Sequence, residues 1–279
     1  MTRVSVITGA AGGMGLATAG IIGRDHTVVL CDVRGDRLDH AVTSLREAGV
    51  RATAVRCDVT DRRAVTGLFE TAAALGPIAS VVHAAGVSPS MGGADYIVTT
   101  NALGTLQVNE MFFGAAAPGA AIVNVASMAS HMLPDEIVPI EHFNLAFTDA
   151  DRFLAEMLAA CDLAGEAMRS GLAYSLSKYF VRWYSCAQAE RFNSRGLRIV
   201  SVSPGSVDTE MGLLEENNGA GAMVADFAVP RWGSAQEMAE LFAFCVSDRA
   251  GYLTGTDILN DGGVIASMRE RVRRAAQKA

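Results

Sequence analysis

Seven apolar runs recur along the chain, separated by helical patterns: VSVIT (4–8), TVVLCDV (27–33), ATAVRCDV (52–59), ASVVHAAG (79–86), AAIVNVAS (120–127), LRIVSVSPG (197–205) and YLTGTDILNDGG (252–263). Strands this continuously apolar need cover on both faces, which the intervening helices can supply. The alternation therefore predicts an α/β fold, a doubly wound parallel sheet of about seven strands with helices on both faces. No repeat, low-complexity tract or Pro/Gly/Ser-rich linker interrupts the pattern, so residues 1–279 are expected to form a single domain.

Two segments break the alternation. Residues 128–173 separate the fifth run from the stretch YSLSK (174–178), and residues 206–235 follow the sixth. In the first, Phe153, Leu154, Met157, Leu158 and Cys161 recur at helical spacing. The second contains EENNGAGAM (215–223), a turn-rich composition expected to be mobile. Both leave the carboxyl ends of strands, where open α/β sheets bind ligands. The insertion and the later loop are thus expected to form the walls and lid of a substrate pocket. Candidates for its apolar lining are Met128, Met132, Leu133, Phe143, Phe147, Met211, Leu213, Leu214, Met223 and Phe227; the competing reading is that many of them bury the insertion against the body of the fold. A lining rich in methionine suits an apolar alcohol or ketone.

The hydrophobic content of 50%, the net charge of −7 and the pI near 5.3 describe a globular protein without the basic surface that nucleic acid requires. Arg269, Arg271, Arg273 and Arg274, next to Glu270, read as a solvated helix end. The five cysteines are scattered and odd in number, so no metal site or disulfide framework is expected, and a reducing compartment is. The N-terminus enters a strand directly and no apolar run is long enough to span a bilayer, which makes the cytoplasm the expected location.

The first run ends in TGAAGGMGLATAG, with glycines at 9, 13 and 15 between a strand and a helix. Gly9 permits a tight turn, and Gly13 and Gly15 let the backbone approach a pyrophosphate at the positive end of the helix dipole. The second run ends in Asp32, nineteen residues beyond Gly13. That spacing suits an acid bonded to the adenosine ribose hydroxyls, and its charge repels a 2′-phosphate. NAD is therefore favoured over NADP, with the adjacent Arg34 tempering the preference. Asp58 ends the third run in the same manner; it can meet the adenine amino group, or simply serve as a cap or turn residue.

In YSLSK, a helix places Tyr174 and Lys178 on one face a turn apart. A cation there lowers the phenol pKa, giving a general acid and base, although the spacing alone favours the plainer reading of a surface Tyr-Lys pair.

The glycine loop, Asp32, HAAG (83–86), Asn101, Ser127, YSLSK and PGSVDT (204–209) stand in one order, and together they resemble the short-chain dehydrogenase/reductase family, from Thr8 to NDGG (260–263). The long interval between Ser127 and Tyr174 is most similar to the NAD-dependent 3α-hydroxysteroid dehydrogenase and carbonyl reductase branch. The resemblance implies a single-domain Rossmann fold and an NAD-dependent enzyme that interconverts a secondary alcohol, such as a 3-hydroxysteroid, and a ketone. It implies Tyr174 as general acid and base, Lys178 lowering its pKa and binding ribose, Ser127 on the reacting oxygen, and Asn101 completing a proton relay. Coenzyme contacts are implied for Gly9, Gly13, Met14, Gly15, Asp32, Asp58, Val59, Ala85, Gly86, Tyr174, Lys178, Pro204, Gly205, Val207 and Thr209. Two departures stand out: His83 and Ala84 replace the family's asparagine-rich turn, and the interval of 47 residues from Ser127 to Tyr174 is much longer than in most members, with Ser130 near the chosen Ser127. The competing functions are sugar-nucleotide epimerisation or dehydration and an NAD-binding sensor without turnover. A homo-oligomer, dimer or tetramer, is expected.

Overall fold

The computed structural model describes residues 2–163, 165–216, 221, 224 and 228–277. Its first half runs β1 (Val4–Thr8), α1 (Gly13–Ile22), β2 (Thr27–Asp32), α2 (Gly35–Glu47), β3 (Ala52–Arg56), α3 (Arg62–Leu75), β4 (Ile78–His83), α4 (Ala94–Val98), α5 (Gly104–Ala115) and β5 (Ala121–Val125). The second half adds α6 (Ala150–Asp162), α7 (Arg169–Ala187), α8 (Ala189–Asn193), β6 (Arg198–Pro204), β7 (Val207–Asp208), α9 (Glu210–Leu214), β8 (Gly233–Ser234), α10 (Ala235–Val246), β9 (Asp257–Asn260) and α11 (Val264–Ala276).

Seven of the strands form one parallel sheet in the order β3-β2-β1-β4-β5-β6-β9, and β7 pairs with β8 apart from it. The fold is the expected single-domain α/β sheet. Its apolar strands serve two cores by simple alternation: Val29, Cys31, Val81, Ile122 and Ile199 face α3, α5 and α7, while Val28, Leu30, Val82, Val123 and Val200 face α1, α2 and α10. The seventh apolar run yields only four strand residues, because left-handed glycines bracket it, Gly255 before and Gly262 and Gly263 after.

Side chains cap some of the helix starts. Asp61 accepts from the backbone N–H of Arg63 and Ala64 at the start of α3, and Ser234 with Glu237 forms a reciprocal cap on α10. α1, like α2, has no side-chain cap, and it starts from Gly12. The sheet reverses its order between β1 and β4, and the turns after both strands open into the same crevice.

The insertion is three 3₁₀ segments, then α6, which packs on α7 and α4, and a fourth 3₁₀ turn (Glu166–Met168) that leads into α7. Phe143 is fully buried there, with ring centroids 5.4 Å from Phe180 and 5.2 Å from Trp183. Phe147 stacks on Tyr184. For Phe143 the packing reading prevails over the pocket reading, because an inserted segment must bury its own apolar face before it can offer any to a ligand, whereas Phe147 keeps an exposed side. Met223, Phe227 and most of EENNGAGAM lie outside the described residues.

Candidate active site

At Gly9 and Gly15 the loop leaves no room for a side chain. Gly9 is left-handed, with φ of 64°, and a Cβ there would lie 2.7 Å from the Ala84 backbone. A Cβ on Gly15 would lie 2.3 Å from the Gly9 carbonyl oxygen. Gly12 faces open space, and Gly13, with φ of 53°, lies beneath the Thr209 methyl group. The result is an uncapped helix N-terminus with backbone donors free of side-chain cover, the form of an anion cradle. Met14 continues into α1, and its carbonyl accepts from the Thr18 hydroxyl at 2.6 Å.

Asp32 sits at the end of β2 beside this cradle. Its carboxylate accepts from the backbone N–H of Ala11 and of Arg34, each at 3.1 Å. Asp58 is exposed and accepts from the Thr60 N–H at 2.9 Å and from its hydroxyl at 2.8 Å, so it closes a turn while Asp61 caps the helix. Val59 is buried, and a Cβ on Gly104 would meet it at 2.8 Å, which explains the glycine at the start of α5.

At the end of β4, the Ala85 N–H donates to the Thr8 hydroxyl at 3.1 Å. His83 is buried between Thr8 Oγ1, 2.8 Å from Nδ1, and Thr105 Oγ1, 3.0 Å from Nε2. Thr105 donates to the Asn101 carbonyl at 2.6 Å. The network assigns one tautomer: Thr8 donates to Nδ1, and Nε2–H donates to Thr105. Burial, with the Lys178 ammonium adding to it, pushes the imidazole down to about 3, so His83 is neutral. The departure at HAAG is thus an oriented hydrogen-bond chain from the glycine loop to Asn101.

Asn101 lies in a π-helical turn, Thr99–Leu103, between α4 and α5. Its side chain accepts from the Val87 N–H at 2.9 Å and donates to the Val87 carbonyl at 3.0 Å and to Ser177 Oγ at 3.2 Å. Ser177 also donates to the Tyr174 carbonyl at 2.8 Å, which links the π turn to the middle of YSLSK. No signal in the sequence separated Ser177 from the other small residues of α7.

α7 carries Tyr174 and Lys178. The Ser127 hydroxyl faces the Tyr174 phenol closely enough to pull its pKa down, and itself accepts from the Ala129 N–H at 3.2 Å. Ser130, by contrast, is fully buried and donates to the Ser127 carbonyl at 2.8 Å, closing the turn. Ser127, not Ser130, meets the phenol. Lys178 is buried, donates from Nζ to the Val125 carbonyl at 2.8 Å, and lies so close to Gly86 that a Cβ there would be 3.2 Å from Nζ.

The titration of the pair departs from the expectation. Burial raises the Tyr174 pKa above its ordinary value, the Ser127 bond works against that rise, and the Glu215 carboxylate adds to it. The Lys178 amine is 6.0 Å from the ring centroid and bonded elsewhere, so it does not set the phenol's direction. Burial brings Lys178 itself down to about 8.

From about pH 8 to about 10.5 the unfolded chain keeps a lysine proton that the folded chain has released, so this group makes stability rise with pH across that window. Relative to Lys178→Met, the native protein should gain up to about 3 kcal/mol between pH 8 and 10.5 in urea unfolding. A flat difference between the two proteins would contradict a buried ammonium at low pH.

The remaining implied contacts line the far wall. A Cβ on Gly205, after Pro204, would lie 2.7 Å from Asp261 Cα, so the chain turns there against NDGG. Val207 pairs with Gly233 in the small sheet, and the Thr209 hydroxyl accepts from the Gly212 N–H at 3.0 Å as the cap of α9. A cavity of about 140 Å³ lies behind this turn, lined in part by Ser206, Met238 and Asn260. Asn101, Ser127, Tyr174 and Lys178 do not border it, so it is separate from the cluster they form.

The crevice fits a nicotinamide dinucleotide: an uncapped helix start over backbone-packed glycines, an acid at the end of β2, and a Tyr, Ser, Lys and Asn cluster beyond β4 and β5. Residues 3–138 match the family model for short chain dehydrogenase, and residues 157–265 match the one described as Enoyl-(Acyl carrier protein) reductase. A short-chain dehydrogenase/reductase of Alternaria brassicicola is 30% identical over 271 residues, covering 95% of this chain and 97% of its own. A 3-alpha-hydroxysteroid dehydrogenase/carbonyl reductase of Comamonas testosteroni is 27% identical over 276 residues, covering 95% and 98% respectively. The solved structure of an actinorhodin polyketide ketoreductase with NADPH shares the fold at a TM-score of 0.75 and 23% identity, covering 94% of this chain and 97% of that one.

Proposed function

The chain belongs to the short-chain dehydrogenase/reductase family, and we propose that it uses NAD(H) to interconvert a secondary alcohol and a ketone on an apolar, ring-bearing substrate such as a 3-hydroxysteroid. The contact that carries this reading is the Ser127 hydroxyl on the Tyr174 phenol, with Lys178 and Asn101 behind it. The Comamonas relative's name and the apolar candidates of the insertion support the substrate class. Asp32 supports NAD, since its carboxylate stands where a 2′-phosphate would be repelled; the NADPH in the ketoreductase structure belongs to that protein.

When bound, the coenzyme gives or accepts the hydride. In the reductive direction the Tyr174 phenol donates its proton to the carbonyl oxygen, and in the oxidative direction its oxygen takes the proton from the alcohol. The Ser127 hydroxyl holds the same oxygen and stabilises charge developing on it. With the coenzyme bound, Lys178 would donate to ribose hydroxyls, and its charge would act together with that of the nicotinamide to bring down the phenol pKa that burial raises in the free chain. Asn101 fixes the turn behind Lys178, the position from which it would hold a relay to solvent. The raised phenol pKa favours the protonated form, which suits carbonyl reduction.

The test follows NADH absorbance with a panel of 3-hydroxysteroids, their ketones and simple secondary alcohols, supplying NAD and NADP in turn. Turnover with NAD supports the reading. Coenzyme binding with a silent panel sinks it and favours a sensor. We also infer a cytoplasmic homo-oligomer, from the five free cysteines and the exposed apolar side chains Leu163 and Val272; a monomer mass by light scattering at micromolar concentration contradicts that state.

A further inference from the structure

Arg34 and Arg37, at and just after the end of β2, leave the choice between NAD and NADP unsettled if the local sequence alone is considered, since arginine is the natural partner of a phosphate. The structure gives both a different partner. Glu210, the first residue of α9, reaches across the crevice from a position 176 residues further along the chain than Arg34. One of its carboxylate oxygens, Oε2, accepts from Arg34 Nη1 at 3.3 Å and from Arg37 Nη1. Arg34 is also held from the other side, with Nε 3.7 Å from Asp32 Oδ1. Two guanidinium groups thus face two carboxylates, and the cluster carries no net charge.

We propose that Glu210 is a coenzyme-selecting residue, which keeps Arg34 and Arg37 in ion pairs and so withholds them from a 2′-phosphate. The inference rests on the dinucleotide reading of the crevice given above. Asp32 is fixed by two backbone donors and repels the phosphate directly. Glu210 removes the compensation that the neighbouring arginines would otherwise provide. Its position over the glycine loop is secured by more than the ion pairs: Thr209 caps α9 and lies against Gly13, and Glu215, just beyond the other end of the helix, accepts from the Ser90 N–H at 3.0 Å. Replacing the carboxylate therefore frees the arginines without unfastening the helix. Neutralising Glu210 removes both of these pairs and leaves only the long Asp32 contact on Arg34, and because the arginines are substantially exposed they can then turn to a phosphate.

Calorimetric titration of NAD and of NADP into the full chain tests this. Glu210→Gln should tighten NADP by about tenfold, change NAD by less than about threefold, and lose most of the gain at high ionic strength. Adding Arg34→Ala and Arg37→Ala to Glu210→Gln should return NADP binding to its native weakness, and the thermal midpoint of the single variant should match the native one. An unchanged NADP affinity in Glu210→Gln, an equal gain for both coenzymes, or a native protein that already prefers NADP overturns the proposal. A native protein that binds neither dinucleotide is a separate outcome, which removes the coenzyme reading and this inference with it.

Discussion

Tyr174→Phe should lower turnover by about 10²- to 10⁴-fold while leaving dinucleotide affinity and the unfolding midpoint close to native. The substitution removes only the phenol oxygen. The ring is partly buried against the core that α7 shares with the sheet, and phenylalanine fills that space equally well. What disappears is the one atom that meets the Ser127 hydroxyl and can exchange a proton with a substrate oxygen. A drop of less than about tenfold in steady-state rate would mean that another group handles the proton, because general acid-base catalysis by a positioned side chain accounts for at least about 10²-fold.

Gly15→Ala should have the second-largest effect, and it acts through backbone rather than chemistry. The new Cβ would lie 2.3 Å from the Gly9 carbonyl oxygen, and Gly9 cannot yield, since its own Cα faces the Ala84 backbone at the head of the β4 turn. The loop or the helix must shift. Overpacking of this kind costs about 1–3 kcal/mol, visible as a lower urea midpoint. A displacement of about 1 Å in a coenzyme-positioning loop is also enough to cost about 10²-fold in turnover. An alanine variant with native stability and native coenzyme affinity would show that the loop is looser than its packing implies.

The sheet was legible in the sequence because its signal is local and repeated. Each strand is a short apolar run, and burial on both faces demands that composition whatever the rest of the chain does. The glycine loop and Asp32 were legible for a related reason, as tight turns and backbone approaches exclude side chains at fixed offsets. The cluster of Ser127, Tyr174 and Lys178 was legible only through the order of its motifs, since the two helical residues are neighbours by spacing but the serine arrives from the end of β5, 47 residues earlier.

What escaped the sequence lies in contacts between distant segments. His83 read as a departure from a pattern, and only the fold shows it joining Thr8 to Thr105 in place of a smaller polar residue. Glu210 gave no signal, because an acid at a helix start is commonplace and its arginines are more than 170 residues away. Phe143 was a candidate for a pocket on chain position alone; the inserted 3₁₀ segment needed an apolar seat on α7 and took it. The phenol was expected to titrate low because a cation lay one turn away, but a buried lysine satisfied by the Val125 carbonyl does not offset the desolvation of its neighbour.

The central claim is that this crevice passes a hydride between a nicotinamide and a carbonyl carbon. The most direct measurement supplies a ketone from the panel with NADH deuterated at C4, each face labelled in turn, and reads the product by mass spectrometry and NMR. The account predicts an alcohol carrying one deuterium on the carbinol carbon from one face only, with none acquired from deuterated solvent. Unlabelled product, or deuterium drawn from the solvent, would contradict it.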